Sequence, residues 1–214
     1  MKGKFTALVF GLALTVAAVQ AQDLPDWALG PQMVFSIPQQ DFANVSGLGE
    51  GLGAKLLFDP LGRDWLHLRA DLAYLSFGEG DFWSYGMATY QTRNESFQLT
   101  MGPELGKQVR AFYFYLAPMA GVFNYRSVTS LYDYYSGLYG SKTTSSQTNF
   151  GWDISAGFNV DIRIGPRLDV GFKYQTINNA VKRSFVNNDA DGYIDLESDA
   201  TTIVFTLGVL FSLR

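Results

Sequence analysis

From Phe150 to Ile164 apolar and polar residues alternate without a break. Phe150, Trp152, Ile154, Ala156, Phe158, Val160, Ile162 and Ile164 form one set; Gly151, Asp153, Ser155, Gly157, Asn159, Asp161 and Arg163 form the other. A period of two puts successive side chains on opposite faces of a β-strand. Strands in ordinary domains run to about 5–6 residues, and this run is far longer. The pattern resumes after Gly165-Pro166, with Leu168, Val170, Phe172 and Tyr174 against Asp169, Gly171, Lys173 and Gln175. It recurs through Ile203 to Leu213, Phe97 to Leu105, Leu66 to Tyr74, Leu52 to Phe58 and Phe112 to Val122. The first strand is the weakest, with Met33, Phe35 and Ile37 on one face and an extension back toward Trp27. Eight strands are predicted.

Short turns are expected near Asp59–Gly62, Gly106–Val109 and Gly165-Pro166. Long polar loops are expected near Gly78–Asn94, Arg126–Thr148 and Asn178–Asp199, with a shorter one near Gln39–Ser46. Short and long connections alternate. An up-and-down meander therefore gathers all the turns at one end and all the loops at the other, as in outer-membrane barrels.

The residue set narrows the class further. Charged residues are 17% of the chain, against about a quarter in ordinary domains, and aromatics reach 15%. The absence of Cys excludes disulfides, thiolate metal sites and lipoprotein acylation. A single histidine, His67, excludes a multi-histidine centre. A net charge of −4 argues against nucleic acid as a partner. Lys2 and Lys4, the apolar run Ala7–Ala18 and Val19-Gln20-Ala21 have the form of a secretory signal peptide over residues 1–21. Residues 22–214 then form the barrel domain, with 22–30 as a short periplasmic lead. Nothing after the leader is long and apolar enough for a membrane helix, so a membrane-spanning form must be a closed barrel.

Period alone does not say which set faces out. The polar set is mostly Gly, Ser, Thr, Asn and Gln, a poor surface for a soluble barrel. The apolar set carries bulky residues on nearly every strand, more than eight strands can enclose. The apolar set is therefore assigned to lipid, with Tyr74, Phe123, Tyr125, Phe150, Trp152 and Tyr174 as an aromatic girdle near the loop ends.

With these features the chain resembles the small outer-membrane β-barrels of the OmpA/OmpX type. The C-terminal Thr206, Gly208, Phe211 and Leu213 resemble that family's assembly signal, although Arg214 replaces the usual terminal aromatic. The resemblance implies an all-β, eight-stranded antiparallel up-and-down transmembrane β-barrel in a bacterial outer membrane. Its implied partners are outer-membrane lipid and the barrel-assembly machinery, and a monomer is expected. The inward set contains Lys55, Arg69, Asp71, Glu104, Asp153, Asp161, Arg163, Asp169 and Lys173. Charges in a narrow bore need partners, so a paired network is expected, densest toward the periplasmic end. Tyr113 and Tyr115 are expected to donate to its carboxylates. Pro103 and Pro118 lie inside strands, where they remove ladder donors.

Residues Asn187–Ser198 resemble an EF-hand loop, with Asp189, Asp191, Asp195 and Glu197 as Ca²⁺ ligands and Gly192 at the turn. The first and twelfth positions, Asn187 and Ser198, depart from that pattern, and an Asp-Gly hairpin is the alternative. No catalytic residue is assigned, because a Ser-His-Asp site has only His67 to draw on. No other cofactor is expected. The expected role is structural or surface-interacting, with any extracellular ligand bound by the loops. The alternatives are a minor channel or carrier for small or hydrophobic solutes and a lipid-modifying enzyme.

Overall fold

The computed structural model describes residues 27–43, 46–62, 65–85, 88–133, 138–162, 165–187 and 192–213. The leader expected over 1–21 lies outside these residues. Eight strands follow in chain order: β1 (Trp27–Gln39), β2 (Gly49–Phe58), β3 (Leu66–Tyr85), β4 (Ala88–Val109), β5 (Phe112–Asp133), β6 (Leu138–Asp161), β7 (Arg167–Asn187) and β8 (Gly192–Leu213). A short helix, α1 (Gln40–Ala43), follows β1. Each strand pairs antiparallel with the next, and β1 pairs with β8, closing the barrel. The strand begins at Trp27, so residues 27–30 of the expected lead belong to the wall.

The two faces separate as the alternation requires. Met33, Phe35, Leu52, Leu68, Leu72, Phe97, Leu99, Met101, Phe112, Phe114, Leu116, Trp152, Ile154, Phe172, Phe205 and Leu207 are exposed on the outer face. Lys55, Arg69, Asp71, Glu104, Asp153, Asp169 and Lys173 are buried in the bore. Of the expected girdle, Tyr74, Phe150, Trp152 and Tyr174 do face outward. Phe123 does not: it is fully buried, and Tyr125 packs beside it inside. Both fall on the odd, inward set of β5, and their aromatic character obscured that position.

The strands are longer than the alternation. β3 to β8 run for 20 to 24 residues, about twice the 9–11 that cross a bilayer. Most of the residues expected to form long loops are therefore paired strand. β3 and β4 zip up to Tyr85↔Ala88, β5 and β6 to Asp133↔Leu138, and β7 and β8 to Asn187↔Gly192. The β6–β7 ladder ends much lower, at Gly151↔Ile177. The projecting crown is thus a β3–β6 sheet and a separate β7–β8 hairpin. At the opposite end the turns are short. The middle one is at Arg110-Ala111, and Gly106–Val109, expected to turn, continues β4. Asp59 Oδ1 accepts the Leu61 amide (3.0 Å), a side-chain turn that starts the β2–β3 connection.

The prolines weaken the wall in two places. The β4–β5 ladder runs in constant register from Ala88↔Asp133 to Val109↔Phe112 but lapses between Met101↔Ala120 and Leu105↔Leu116. Pro103 and Pro118 lie opposite each other at the centre of that lapse, and neither has an N–H to donate. The β1–β8 ladder lapses beside Pro31, between Leu29↔Phe211 and Gln32↔Gly208.

Candidate functional site

The bore is layered. At its lower level six charged side chains form one continuous chain of contacts. Lys55 Nζ lies 3.0 Å from Asp169 Oδ1 and 3.3 Å from Glu104 Oε2. Arg69 Nη1 donates to Glu104 Oε2 (3.1 Å), and its Nε and Nη2 grip both oxygens of Asp71 (2.9 and 2.7 Å). Lys173 closes the series on Asp71. The contacts run from β7 through β2, β4 and β3 back to β7, spanning the bore. Three cations meet three carboxylates, and all six residues are buried. The bidentate Arg69–Asp71 pair is the geometry in which a buried guanidinium holds a carboxylate best.

The Tyr115 ring forms one wall of this layer. Lys55 Nζ lies 3.9 Å and the Arg69 guanidinium carbon 5.1 Å from its centroid. Its hydroxyl has no hydrogen-bond partner, so Tyr115 meets the network through its π-face and not as the expected donor. A glycine makes its placement possible: a Cβ on Gly157 would lie 2.5 Å from the Tyr115 hydroxyl oxygen. Tyr113 pairs instead with His67, whose Nδ1 is 3.0 Å from the Tyr113 hydroxyl.

Three expected members of the network stand apart. Asp161 is exposed at the turn end of β6, where the ladder sets it opposite Arg167. The alternation reaches Asp161, but the enclosed bore ends before it. Arg163 lies outside the described residues. Asp153 is buried inside, yet it joins none of the ion pairs and neither carboxylate oxygen has a hydrogen-bond partner.

Above the charges lies an amide and hydroxyl layer. Gln175 Nε2 donates to Gln98 Oε1 (3.1 Å), and Thr202 Oγ1 donates to Gln175 Oε1 (3.1 Å). The top of the bore is apolar. Val34, Ala73, Leu75, Phe77, Phe123, Ile177, Ala200 and Val204 are buried there with Phe42 of α1. Phe42 meets Phe77 and Tyr125 edge-on, with ring centroids 5.2 and 5.7 Å apart. Ser46 Oγ accepts from Asn94 Nδ2 (3.0 Å) and lies 3.4 Å from the Tyr125 hydroxyl, fixing the chain beyond the helix. The polar column thus stops beneath a hydrophobic stopper. Sequence reasoning missed this layer, although Leu75, Phe77 and Phe123 at inward positions carried its signal.

The remaining sequence-derived residues fall as follows. Thr206, Gly208, Phe211 and Leu213 lie on β8, with Phe211 and Leu213 paired to Leu29 and Trp27 of β1 at the closing seam. Asp189 and Asp191 lie outside the described residues. Asp195 and Glu197 lie on β8, opposite Ser184 and Lys182 of β7.

Solved structures share this architecture. Ail of Yersinia pestis, in complex with the heparin analogue sucrose octasulfate, superposes with a TM-score of 0.53 at 11% identity, over 88% of this chain and 98% of Ail. Neisserial surface protein A superposes with a TM-score of 0.50 at 12% identity, over 86% of this chain and 96% of the other. The chain has the fold of the eight-stranded outer-membrane barrels. At these identities the likeness extends to fold alone. The sequence matches no protein-family model and no curated protein.

Proposed function

We propose that the chain is an integral outer-membrane protein that acts by recognition at the cell surface, without enzymatic activity. The observation that carries this reading is the strand length. About half of β3 to β8 is surplus to a bilayer crossing, and that surplus forms a crown of paired strands above a stoppered bore. The apolar outer belt gives way to polar groups at one level. Above Phe97, Val122 and Phe150 come Glu95, Asn124 and Thr148, with Arg93 paired to Glu95 (3.3 Å) and Asn124 bonded to Thr148 (2.9 Å). Everything beyond that level stands in water.

The crown presents backbone. Above Gly151↔Ile177, β6 is paired with β5 alone in the described ladders, and above Gly49↔Phe77 β3 is paired with β4 alone. Such edges accept an added strand, which favours an extended peptide as ligand. Ail was solved with a sulfated heparin analogue; this chain has 20 Asp and Glu against 16 Lys and Arg, which favours a ligand that is not a polyanion. The test removes β3–β4 residues 80–92 and, separately, β5–β6 residues 130–141, each replaced by a short turn, in cells displaying the barrel. Retained heat-modifiable folding with loss of binding to immobilised extended peptides is expected. Undiminished binding by both trimmed barrels would overturn the proposal.

A further inference from the structure

Among the described residues, four strands of the crown have a side that no neighbour pairs: β3 above Phe77, β6 above Gly151, β7 above Ile177 and β8 above Thr201. They are not equivalent. β3 is bulged twice against β4 in this stretch, between Phe77 and Gly80 and between Asp81 and Trp83. β7 is bulged against β8 between Ile177 and Val181, where Asn179 takes a φ of 52° and its amide donates to Asp199 Oδ1 (2.9 Å). α1 packs beside β8, whose free stretch carries Asp195, Glu197 and Asp199. Bulges, charges and covering elements are the devices by which natural sheets keep an edge from pairing. β6 is the unguarded one. It keeps a single register with β5 from Ser141↔Leu131 to Val160↔Phe112, and it carries no charged residue and no proline from Thr143 to Trp152.

The hydrogen-bond phase of β6 says which of its groups are open. Asp161 N donates to Ala111 O, just before β5 (3.1 Å). Successive residues of a strand aim their N–H and C=O to opposite sides, so the odd-numbered residues of β6 face β5. The unbroken register carries that phase up to Ser141. Lys142, Thr144, Ser146 and Thr148 therefore present N–H and C=O on the side away from β5, where no strand pairs them. Free donors and acceptors at every second residue match the repeat of another extended backbone.

We propose that the free side of β6 over 142–148 is the binding site of the crown, where an extended peptide of about seven residues adds as a further strand, an assignment that rests on the surface-recognition reading and narrows it to one of the four edges. The strands bordering the gap set a charge preference. Over 138–150 and 178–187, β6 and β7 carry Lys142, Lys182 and Arg183 and no acidic residue. Asp195, Glu197 and Asp199 lie one strand further round, on β8. A peptide bearing one or two carboxylates is therefore favoured over a basic one.

The experiment titrates the whole barrel in nanodiscs with three peptides of alternating Thr and Val that carry two Glu, two Gln or two Lys. Binding of the Glu peptide should slow amide exchange at Lys142, Thr144, Ser146 and Thr148. It should leave Thr143, Ser145 and Gln147, already facing β5, unchanged. The Glu peptide should bind about tenfold more tightly than the Lys peptide, the combined scale of a few exposed charge pairs. Thr144→Pro removes one N–H from the free side, a change an edge strand tolerates. It should weaken the Glu peptide about tenfold, the scale of one lost hydrogen bond, with heat-modifiable folding retained. Thr144→Ala keeps the N–H and should bind as the unaltered barrel does. If the proline variant does not fold, the exchange pattern of the unaltered barrel decides. Protection that falls on β3, β7 or β8 instead, equal affinities for the Glu and Lys peptides, undiminished binding by folded Thr144→Pro, or no binding of any of the three would overturn the assignment. The surface-recognition reading fails on the trimmed barrels instead, so the two failures are distinct.

Discussion

The charged layer makes opposite demands on two kinds of residue. Arg69 serves two carboxylates at once, so its removal leaves Asp71 and Glu104 buried without their guanidinium contacts. Breaking a buried pair from one side costs about 3–5 kcal/mol. Arg69→Met should lower the urea unfolding free energy of the refolded barrel by that amount; a loss under about 1 kcal/mol, the worth of an exposed pair, would refute the buried network. Asp153 is the converse case. The three cations are already matched by Asp71, Glu104 and Asp169, which makes Asp153 the surplus carboxylate. Asp153→Asn keeps its shape and removes a buried carboxylate that joins none of the ion pairs, so the unfolding midpoint should hold or rise. A fall of several kcal/mol would mean that the charge has a partner here. Period two sufficed to place these residues on the inner face, because alternation encodes the face directly. It could not say who meets whom: Lys173 and Asp71 are 102 positions apart, and their meeting depends on the register of the three strands between β3 and β7.

At the level of the strand, the facing prolines set the local strength of the wall. The β4–β5 seam keeps its register across Pro103 and Pro118 while losing their donors, so this is the place in the outer belt where the ladder opens most readily. Amide exchange in lipid should be faster at Met101, Leu105, Leu116 and Ala120, the donors of this seam that flank the prolines, than at Leu99 and Val122 farther along it; uniform protection along β4 and β5 would contradict this. Pro118→Ala returns a donor to the seam and should add about 1 kcal/mol, the net worth of one hydrogen bond, seen as a higher urea midpoint. The strand ends teach a related lesson. Sequence reading stopped the strands where alternation stopped, near Gly78, Arg126 and Asn178, yet pairing continues well beyond. Alternation records a difference between two environments. Above the polar ring both faces meet water, the difference vanishes, and the backbone goes on pairing with no periodic trace.

For the molecule as a whole, the order of layers decides what can pass. A solute entering from the turn end meets ion pairs, then amides, then the packed rings of Phe42, Phe77 and Phe123. The intact barrel in a planar bilayer should show no steady conductance at neutral pH, and sustained unitary openings would restore the channel reading. Phe42→Ala should loosen the stopper and cost about 3–5 kcal/mol, measurable as a lower unfolding free energy. The barrel class was legible from end to end because eight alternating segments and no membrane helix admit few closed solutions. The stopper was not, since its central ring, Phe42, comes from a helix that carries no period-two signal.

The early end of the β6–β7 ladder has a mechanical outcome. Above Gly151 and Ile177 the two projecting sheets are bridged, among the described residues, by the Gln147 side-chain amide on the Asn179 carbonyl (2.7 Å). They can lean apart like the tines of a fork while the ring of wall below stays rigid. Whatever lodges between them is gripped from both sides, and the grip can adjust in width without disturbing the embedded cylinder.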